Sequence, residues 1–164
     1  MKDGVILKSL TTHVDERGFF REVICVTDDF FAEGFGQWSH SMMNTGTVKA
    51  WHIHQKQVDW WYVPAGAVKA VLAEFSGASC VHLWDWIKNP IDTIPTNIKF
   101  VEFLLGDNHP PAILRIPPGV AHGLKVLQGP AHLFYITSQV YNPDDEGRIP
   151  YDALGYDWFK QEIK

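Results

Sequence analysis

Three histidines and one aspartate are spaced so that they could share a single site. His52 and His54 lie two residues apart, so both side chains leave the same face if this segment is a β-strand. Asp59 follows where an adjacent strand could bring its carboxylate alongside them, and His122 comes after the turn-forming sequence Pro117-Pro118-Gly119. Three neutral imidazoles and one carboxylate are a ligand set that suits Zn, Fe, Ni or Mn. The spacing therefore predicts a divalent-metal site made of these four side chains.

The same residues allow a second interpretation, in which His52 is a general base rather than a metal ligand. Asp59 would then pair with His52 and keep its imidazole able to accept a proton. The two interpretations partly exclude each other, because a metal-bound imidazole has no lone pair left for a proton. If a metal polarises the substrate instead, the base must be sought elsewhere, and Tyr135 is the first side chain to consider. A third possibility is that all four are ordinary polar residues at the mouth of a barrel.

The elements that must position these side chains are short and strand-like. Alternating or apolar segments bounded by glycine or polar turns predict about ten strands. They include residues 5–7, 19–24, 38–44, 48–54, 58–63, 67–75, 98–105, 112–116 and 131–137. One short helix is predicted over residues 28–33, and residues 89–97, with two prolines and no periodic pattern, are predicted to form a loop. We therefore expect an all-β protein, and a chain of 164 residues most simply forms one domain.

Composition narrows the class of protein further. The net charge of −5 disfavours a chain built to bind nucleic acid or an anionic membrane surface. Cys25 and Cys80 form no CxxC pair and are expected to be free thiols. The N-terminus has no signal-peptide pattern, and no apolar segment is long enough to cross a bilayer. We therefore expect a soluble, cytoplasmic protein.

Two segments resemble the paired motifs of the cupin superfamily. The first runs from Gly46 to Gly66 with Asp59 in place of the usual Glu, and the second from Pro117 to His122, with Val126 where the superfamily often has Asn. This resemblance implies a cupin-type jelly-roll barrel with one or two short helices, formed by a single domain over residues 1–164.

Further segments resemble one family within the cupins, the dTDP-4-dehydrorhamnose 3,5-epimerases. They are residues 13–22, 37–41, 49–52, 116–123, 133–135 and 141–147, in collinear order. That family inverts C3 and C5 of a nucleotide-linked 4-keto-6-deoxy sugar without a metal, and its barrels pair through N-terminal strands and share pocket residues. The resemblance thus implies a homodimer that binds a nucleotide-linked sugar. It implies His52 as base, Tyr135 as acid, His122 and Tyr141 as pocket residues, and Arg17, Phe20, Glu22, Gln37 and Lys49 as ligands of the nucleotide diphosphate.

The chain departs from the family pattern at three points. Asp59 stands where the family has an enolate-stabilising lysine, and Lys49 stands where it has an arginine that binds phosphate in bidentate fashion. The carboxylate that orients the family's base belongs to a C-terminal segment without a counterpart here. Two alternatives therefore stay open beside the epimerase: a metal-dependent cupin isomerase, lyase or dioxygenase, and a non-catalytic sugar-binding cupin.

Overall fold

The structure is a computed structural model that describes residues 3–76, 80–88 and 97–160. In this part of the chain the strands are β1 (Ile6–Ser9), β2 (His13–Asp15), β3 (Gly18–Phe20), β4 (Gln37–Met43), β5 (Val48–His54), β6 (Asp59–Phe75), β7 (Ile98–Gly106), β8 (Ala112–Ile116), β9 (Ala121–Thr137) and β10 (Glu146–Arg148). A 3-10 helix covers Asp29–Phe31, and one α-helix, α1, covers Cys80–Lys88. The predicted all-β class is confirmed.

Two long strands organise the molecule. β6 and β9 have 17 residues each and pair with one another along most of their length. β7 and β8 pair with β6, β4 and β5 pair with β9, and β1 and β10 extend the sheet from β8 and β5. All of these pairs are antiparallel, and together they make an eight-stranded sheet, while β2 and β3 form a separate hairpin. β5 thus meets the first half of β9, and β4 meets its second half.

The long pair changes direction near Gly66. Its register is irregular between Tyr62 and Val68, as expected where a strand bends. Gly66 has a φ of +75°, and a Cβ there would lie 2.6 Å from the Cα of Ala131. Only glycine fits both the backbone conformation and this close approach. The bend lets one sheet roll up around an interior.

Side chains on opposite faces of the rolled sheet enter different apolar clusters. Val68 and Leu72 of β6 belong to the interior cluster, whereas Trp51 and Ile53 of β5 lie in a second cluster on the outer face. Trp158, 1% exposed, covers this outer cluster from the C-terminal segment. β5 is thereby held from outside, which fixes the side chains on its inner face.

Some predicted elements differ from the structure. The segments 58–63 and 67–75 form one strand, because β6 continues through Pro64 and Gly66. Helix α1 was not predicted, and the short helix predicted over 28–33 is a single 3-10 turn. The loop predicted over 89–97 lies outside the described residues except for Asn97. Cys25 is a free thiol, whereas the side chain of Cys80 lies outside the described part. None of the helices that the structure describes is long and apolar enough to cross a membrane.

Candidate active site

A cavity of about 260 Å³ lies inside the rolled sheet. Most of its lining comes from inward-facing side chains of β4, β5, β6 and β9, with β10 at one side. Of the residues selected from the sequence, it is lined by Gln37, Lys49, His52, His54, Asp59, His122, Tyr135 and Tyr141. The three histidines and the aspartate that were predicted to share one site, His52, His54, Asp59 and His122, therefore line the same cavity.

An irregularity in β5 sets which of its side chains enter the cavity. The pairing of β5 with β9 shifts register between Lys49 and His52. Lys49 and His52 are three residues apart, yet both line the cavity, while Trp51 packs in the outer cluster. A bulge changes the alternation of side chains in this way. Beyond it the ordinary period of two returns, so His54 also faces inward.

His52 is hydrogen-bonded to Glu146, a carboxylate that is not among the residues predicted from the sequence. Its Nδ1 lies 2.7 Å from Oε1 of Glu146, and the Nε of Arg148 donates to the same oxygen at 2.9 Å. Glu146 lies on β10 directly opposite His54, which makes His52 its diagonal neighbour across the strand pair. Because a carboxylate only accepts, Nδ1 of His52 carries the hydrogen and Nε2 keeps its lone pair. Asp59, the partner proposed from the sequence, is engaged elsewhere.

Asp59 lies in a group with His54 and His122, in which Asp59 and His122 are buried and His54 is partly buried. Its Oδ1 is 4.0 Å from Nε2 of His54, and its Oδ2 is 3.6 Å from Nε2 of His122. Gln57 donates to Oδ1 at 2.8 Å, and the indole of Trp61 donates to Oδ2 at 3.3 Å. One ligand atom from each of the three groups lies within 4.8 Å of the other two. His52 is not part of this group.

Burial dominates the electrostatics of this group. It raises the pKa of Asp59 above its usual range, although His54, Gln57 and Trp61 favour the carboxylate. Burial also holds the pKa of His122 well below its usual value, and the neighbouring histidines add to this effect. Charge on either partner is therefore disfavoured unless something compensates for it.

The Glu146 carboxyl behaves differently. Burial raises its pKa, but the hydrogen bonds from Arg148 and His52 outweigh that effect and hold the pKa below its usual range. Glu146 is thus ionised near neutral pH and able to stabilise positive charge on His52.

Polar residues from β4 and β5 line another part of the cavity. Nζ of Lys49 donates to Oγ of Ser41 at 2.9 Å, and the amide of Gln37 accepts from the backbone N–H of Tyr141 at 3.1 Å. The side chain of Arg148 is 70% exposed at the same cavity. Lys49 and Arg148 give this region positive charge.

Three residues selected for diphosphate binding lie away from this cavity. Arg17 and Phe20 belong to the β2–β3 hairpin, where they line a separate surface cleft, and Glu22 follows it at the surface. The side chain of Arg17 is 81% exposed and bonded to Asp15. Within a single chain, the structure does not bring these three residues to the cavity.

Comparison with known proteins decides the family. A family model described as dTDP-4-dehydrorhamnose 3,5-epimerase matches residues 2–164. The chain belongs to this family. The spore coat polysaccharide biosynthesis protein SpsL of Bacillus subtilis (strain 168) is 39% identical over 163 residues, which are 96% of this chain and 97% of that protein.

Solved structures of similar proteins have the same fold. The RmlC enzyme of Legionella pneumophila, a dTDP-6-deoxy-D-glucose-3,5-epimerase solved with dTDP-4-keto-L-rhamnose, matches with a TM-score of 0.74 and 26% identity, over 98% of this chain and 81% of that one. A dTDP sugar isomerase of Desulfovibrio desulfuricans G20 matches with a TM-score of 0.76 and 23% identity, over 98% and 94% of the two chains. The predicted cupin-type barrel and the predicted carbohydrate epimerase class are confirmed.

Proposed function

We propose that this epimerase-family enzyme moves protons next to the ketone of a dTDP-linked 4-keto-6-deoxy sugar, with His52 as general base, Glu146 as its positioning carboxylate and Tyr135 as general acid. The single observation that carries the proposal is the 2.7 Å contact between His52 and Glu146 inside the cavity. The substrate class follows from the family and from relatives such as the Legionella enzyme, which was solved with a dTDP-4-keto sugar.

The chemistry uses the acidity of C–H bonds beside the C4 carbonyl. Nε2 of His52 removes a proton from C3 or C5, the electron pair passes to the carbonyl oxygen as an enolate, and Glu146 stabilises the imidazolium. The Tyr135 hydroxyl then donates a proton to the same carbon from the other face, which inverts it, and solvent restores both side chains. His52 extends from β5 and Tyr135 from the second half of β9, so the two halves of the rolled sheet supply the base and the acid.

The nucleotide diphosphate is assigned to the positive region of the same cavity. Lys49 and Arg148 supply charge, and Gln37 and Tyr141 supply hydrogen-bonding groups beside them. Arg148 presents a planar fork suited to a diphosphate. It thereby compensates, in this proposal, for the lysine that replaces the family's arginine at position 49.

We also propose a homodimer in which the β2–β3 hairpin reaches the partner's cavity. Val14, Phe19 and Phe20 are 76%, 63% and 62% exposed, and all six residues of the two hairpin strands are exposed. Apolar side chains exposed together in this way are typical of a protein–protein contact. Such a contact also accounts for the position of Arg17 away from its own cavity.

Hydrogen exchange tests the proposed chemistry. Incubation with a dTDP-4-keto-6-deoxy sugar in heavy water is expected to place deuterium at C3 or C5, seen by NMR and mass spectrometry. His52→Ala is expected to slow that exchange about 10²- to 10⁴-fold, whereas His40→Ala, which changes an exposed histidine outside the cavity, leaves it intact. Absence of deuterium at both carbons with the wild-type protein would contradict the proposal.

A further inference from the structure

We propose that Arg21 is a positioning residue, which fixes the direction of the β2–β3 hairpin so that the hairpin's substrate ligands reach the partner's cavity. The inference rests on the proposed function for the role of the hairpin, and it adds the residue that sets the hairpin's orientation. Arg21 itself is not a lining residue of the cavity.

The hairpin joins the rest of the protein at its base. In the described part of the chain, β2 and β3 pair with each other and with no other strand, and all six of their residues are exposed. Leu10 precedes the hairpin and Val23 and Ile24 follow it, and all three pack in one apolar cluster on the barrel. This cluster fixes where the hairpin begins and ends. It leaves the direction open, because two strands joined only at their base are weakly held.

Arg21 supplies a restraint on that direction. The pairing of β2 with β3 ends at His13 and Phe20, so Thr12 and Arg21 are the next opposed positions. The Nε of Arg21 donates to Oγ1 of Thr12 at 2.8 Å, and its Nη1 donates to the phenolic oxygen of Tyr62 at 3.0 Å. The first bond closes the base of the hairpin, and the second attaches that base to β6.

A third contact of Arg21 involves the hairpin strand itself. The guanidinium carbon lies 4.7 Å from the centre of the Phe19 ring, which is a cation–π contact. One planar group thus contacts both sides of the hairpin and the barrel. A lysine ammonium is a point charge and does not present the same fork of donors. Arg21, Thr12 and Tyr62 are all partly buried, so their hydrogen bonds are shielded from competing water.

Tyr62 connects this restraint to the wall of the cavity. It packs against the apolar cluster on the outer face of the barrel. The residue before it, Trp61, lines the cavity and pairs with Tyr135, the proposed acid. Arg21 is therefore anchored on the back of a strand segment whose front forms the cavity. Because a two-fold axis relates the barrels of a dimer, a hairpin held on its own barrel is also held relative to the partner's cavity.

Loosening the hairpin is expected to change KM rather than kcat. A mobile hairpin presents its ligands only part of the time, so the apparent affinity falls by that fraction. His52 and Tyr135 belong to β5 and β9, and they act in the same way once the substrate is bound. Arg21→Met is expected to raise KM for the keto sugar nucleotide about 10-fold and to leave kcat within about twofold. Tyr62→Phe removes one hydroxyl and is expected to raise KM about 3- to 10-fold.

Lys8→Met is the matched control. It also replaces a hydrogen-bonded cation by methionine, but its partner is Asp28, at 2.6 Å, and its strand β1 belongs to the barrel. This variant is expected to lower Tm without raising KM. Circular dichroism and sedimentation of each variant confirm a folded dimer at the assay concentration. If Arg21→Met does not fold, Tyr62→Phe takes its place in every experiment.

Mixed dimers decide whether Arg21 acts on the partner's cavity. In the first dimer, one chain carries both His52→Ala and Arg21→Met and the other is wild type, so the one working cavity receives the altered hairpin. In the second dimer the two substitutions lie on different chains, and the working cavity receives an intact hairpin. We expect the raised KM in the first dimer and the wild-type KM in the second.

Three results would overturn the inference: equal KM in both mixed dimers, a raised KM in the second dimer alone, or an equal rise in Lys8→Met. Failure of the proposed function is a separate result. Calorimetric titration with dTDP measures the affinity without turnover, and Arg21→Met is expected to raise that Kd about 10-fold. If the wild-type protein exchanges no deuterium while this Kd still rises, the proposed chemistry fails and the inference on Arg21 holds.

Discussion

Glu146 and His52 lie 94 residues apart in sequence, yet their side chains meet at 2.7 Å. β10 brings them together, because its three residues pair with the end of β5. The contact holds the imidazole in one tautomer and one orientation. It gives this chain a carboxylate behind the proposed base.

Glu146→Gln is expected to lower kcat about 10²-fold with little change in KM, since an amide cannot stabilise an imidazolium and can favour the wrong tautomer. Glu146→Asp is expected to recover part of the loss. Steady-state kinetics with the keto sugar nucleotide measures both. An equal effect on KM and kcat, or no rescue by Asp, would point to a structural role instead.

Tyr135→Phe is expected to separate proton removal from proton return. His52 still takes the proton, so exchange at C3 or C5 in heavy water continues, while formation of the inverted product falls about 10²-fold or more. NMR measures both rates on one sample. The result that contradicts the role is an equal loss of exchange and inversion, which would make Tyr135 necessary for the first step as well.

Gly147→Val is expected to disturb the His52 contact without altering either partner. A Cβ at Gly147 would lie 2.9 Å from Ile53 and 3.0 Å from both Trp84 and Ile87 of α1, so β10 is held between β5 and the helix. A larger side chain must displace β10, at a cost of about 1–3 kcal/mol in the free energy of unfolding. We expect lower kcat together with lower Tm, and a smaller effect for Gly147→Ala. Unchanged kinetics would show that β10 can shift without moving Glu146.

The sequence could predict the inward-facing residues but not the carboxylate behind His52. His52 and His54 share a face because of their two-residue spacing, and the Pro-Gly turn predicts that His122 lies at the start of the strand that follows it. The register shift in β5 has no local signal, so Lys49 could be placed in the cavity only by resemblance. Glu146 and Arg148 flank Gly147 with strand-like spacing, a signal that could have suggested them. Their partner is set by a long-range strand pair, which local pattern does not encode.

The same limit applies to the fold. Pro64 and Gly66 are breaking signals in an isolated strand, yet β6 continues through them because a rolled sheet needs a bend there. Helix α1 packs its Trp84 and Ile87 over Gly147, a contact with a residue far along the chain. Both features depend on tertiary packing that overrides local propensity.

Asp28 is expected to make stability depend on pH in the acid range. The hydrogen bond from Lys8 at 2.6 Å, aided by the backbone N–H of Cys25, lowers the pKa of this carboxyl below its usual value. A lowered folded-state pKa adds stability above the unfolded value of about 3.9, and this gain is lost as pH falls through the folded-state pKa. Because both side chains are partly exposed, Asp28→Asn is expected to cost only about 0.5–1 kcal/mol at pH 7.

Urea unfolding of wild type and Asp28→Asn between pH 7 and pH 3 measures this difference. The difference in free energy of unfolding between the two proteins is expected to stay constant from pH 7 to pH 5 and to decrease below about pH 4. Lys8→Met should lower the free energy of unfolding by a similar amount, with the same pH dependence. A difference that increases toward low pH would contradict the expected lowering of the pKa of Asp28.

Mixed dimers are expected to show whether the hairpin serves the partner's cavity. Arg17→Ala removes a proposed diphosphate ligand from one chain, and His52→Ala removes the base from the other. If Arg17 acts on the partner, each mixed dimer has one cavity with both residues intact. Co-expressed chains with two different tags, purified in tandem, should then have about half the wild-type activity per dimer, although each parent dimer is nearly inactive.

The opposite hypothesis, in which Arg17 acts in its own chain's cavity, predicts a different activity for the mixed dimer. If Arg17 serves its own chain's cavity, the mixed dimer has one site without the base and one without the arginine, so its activity stays at the parental level. Glu16→Ala changes an exposed neighbour on the same turn and serves as the matched control, which should behave as wild type. Full activity of the Arg17→Ala parent would remove Arg17 from substrate binding. Recovery in the mixed dimer requires the hairpin to cross between chains, since no arrangement within one chain supplies an intact site.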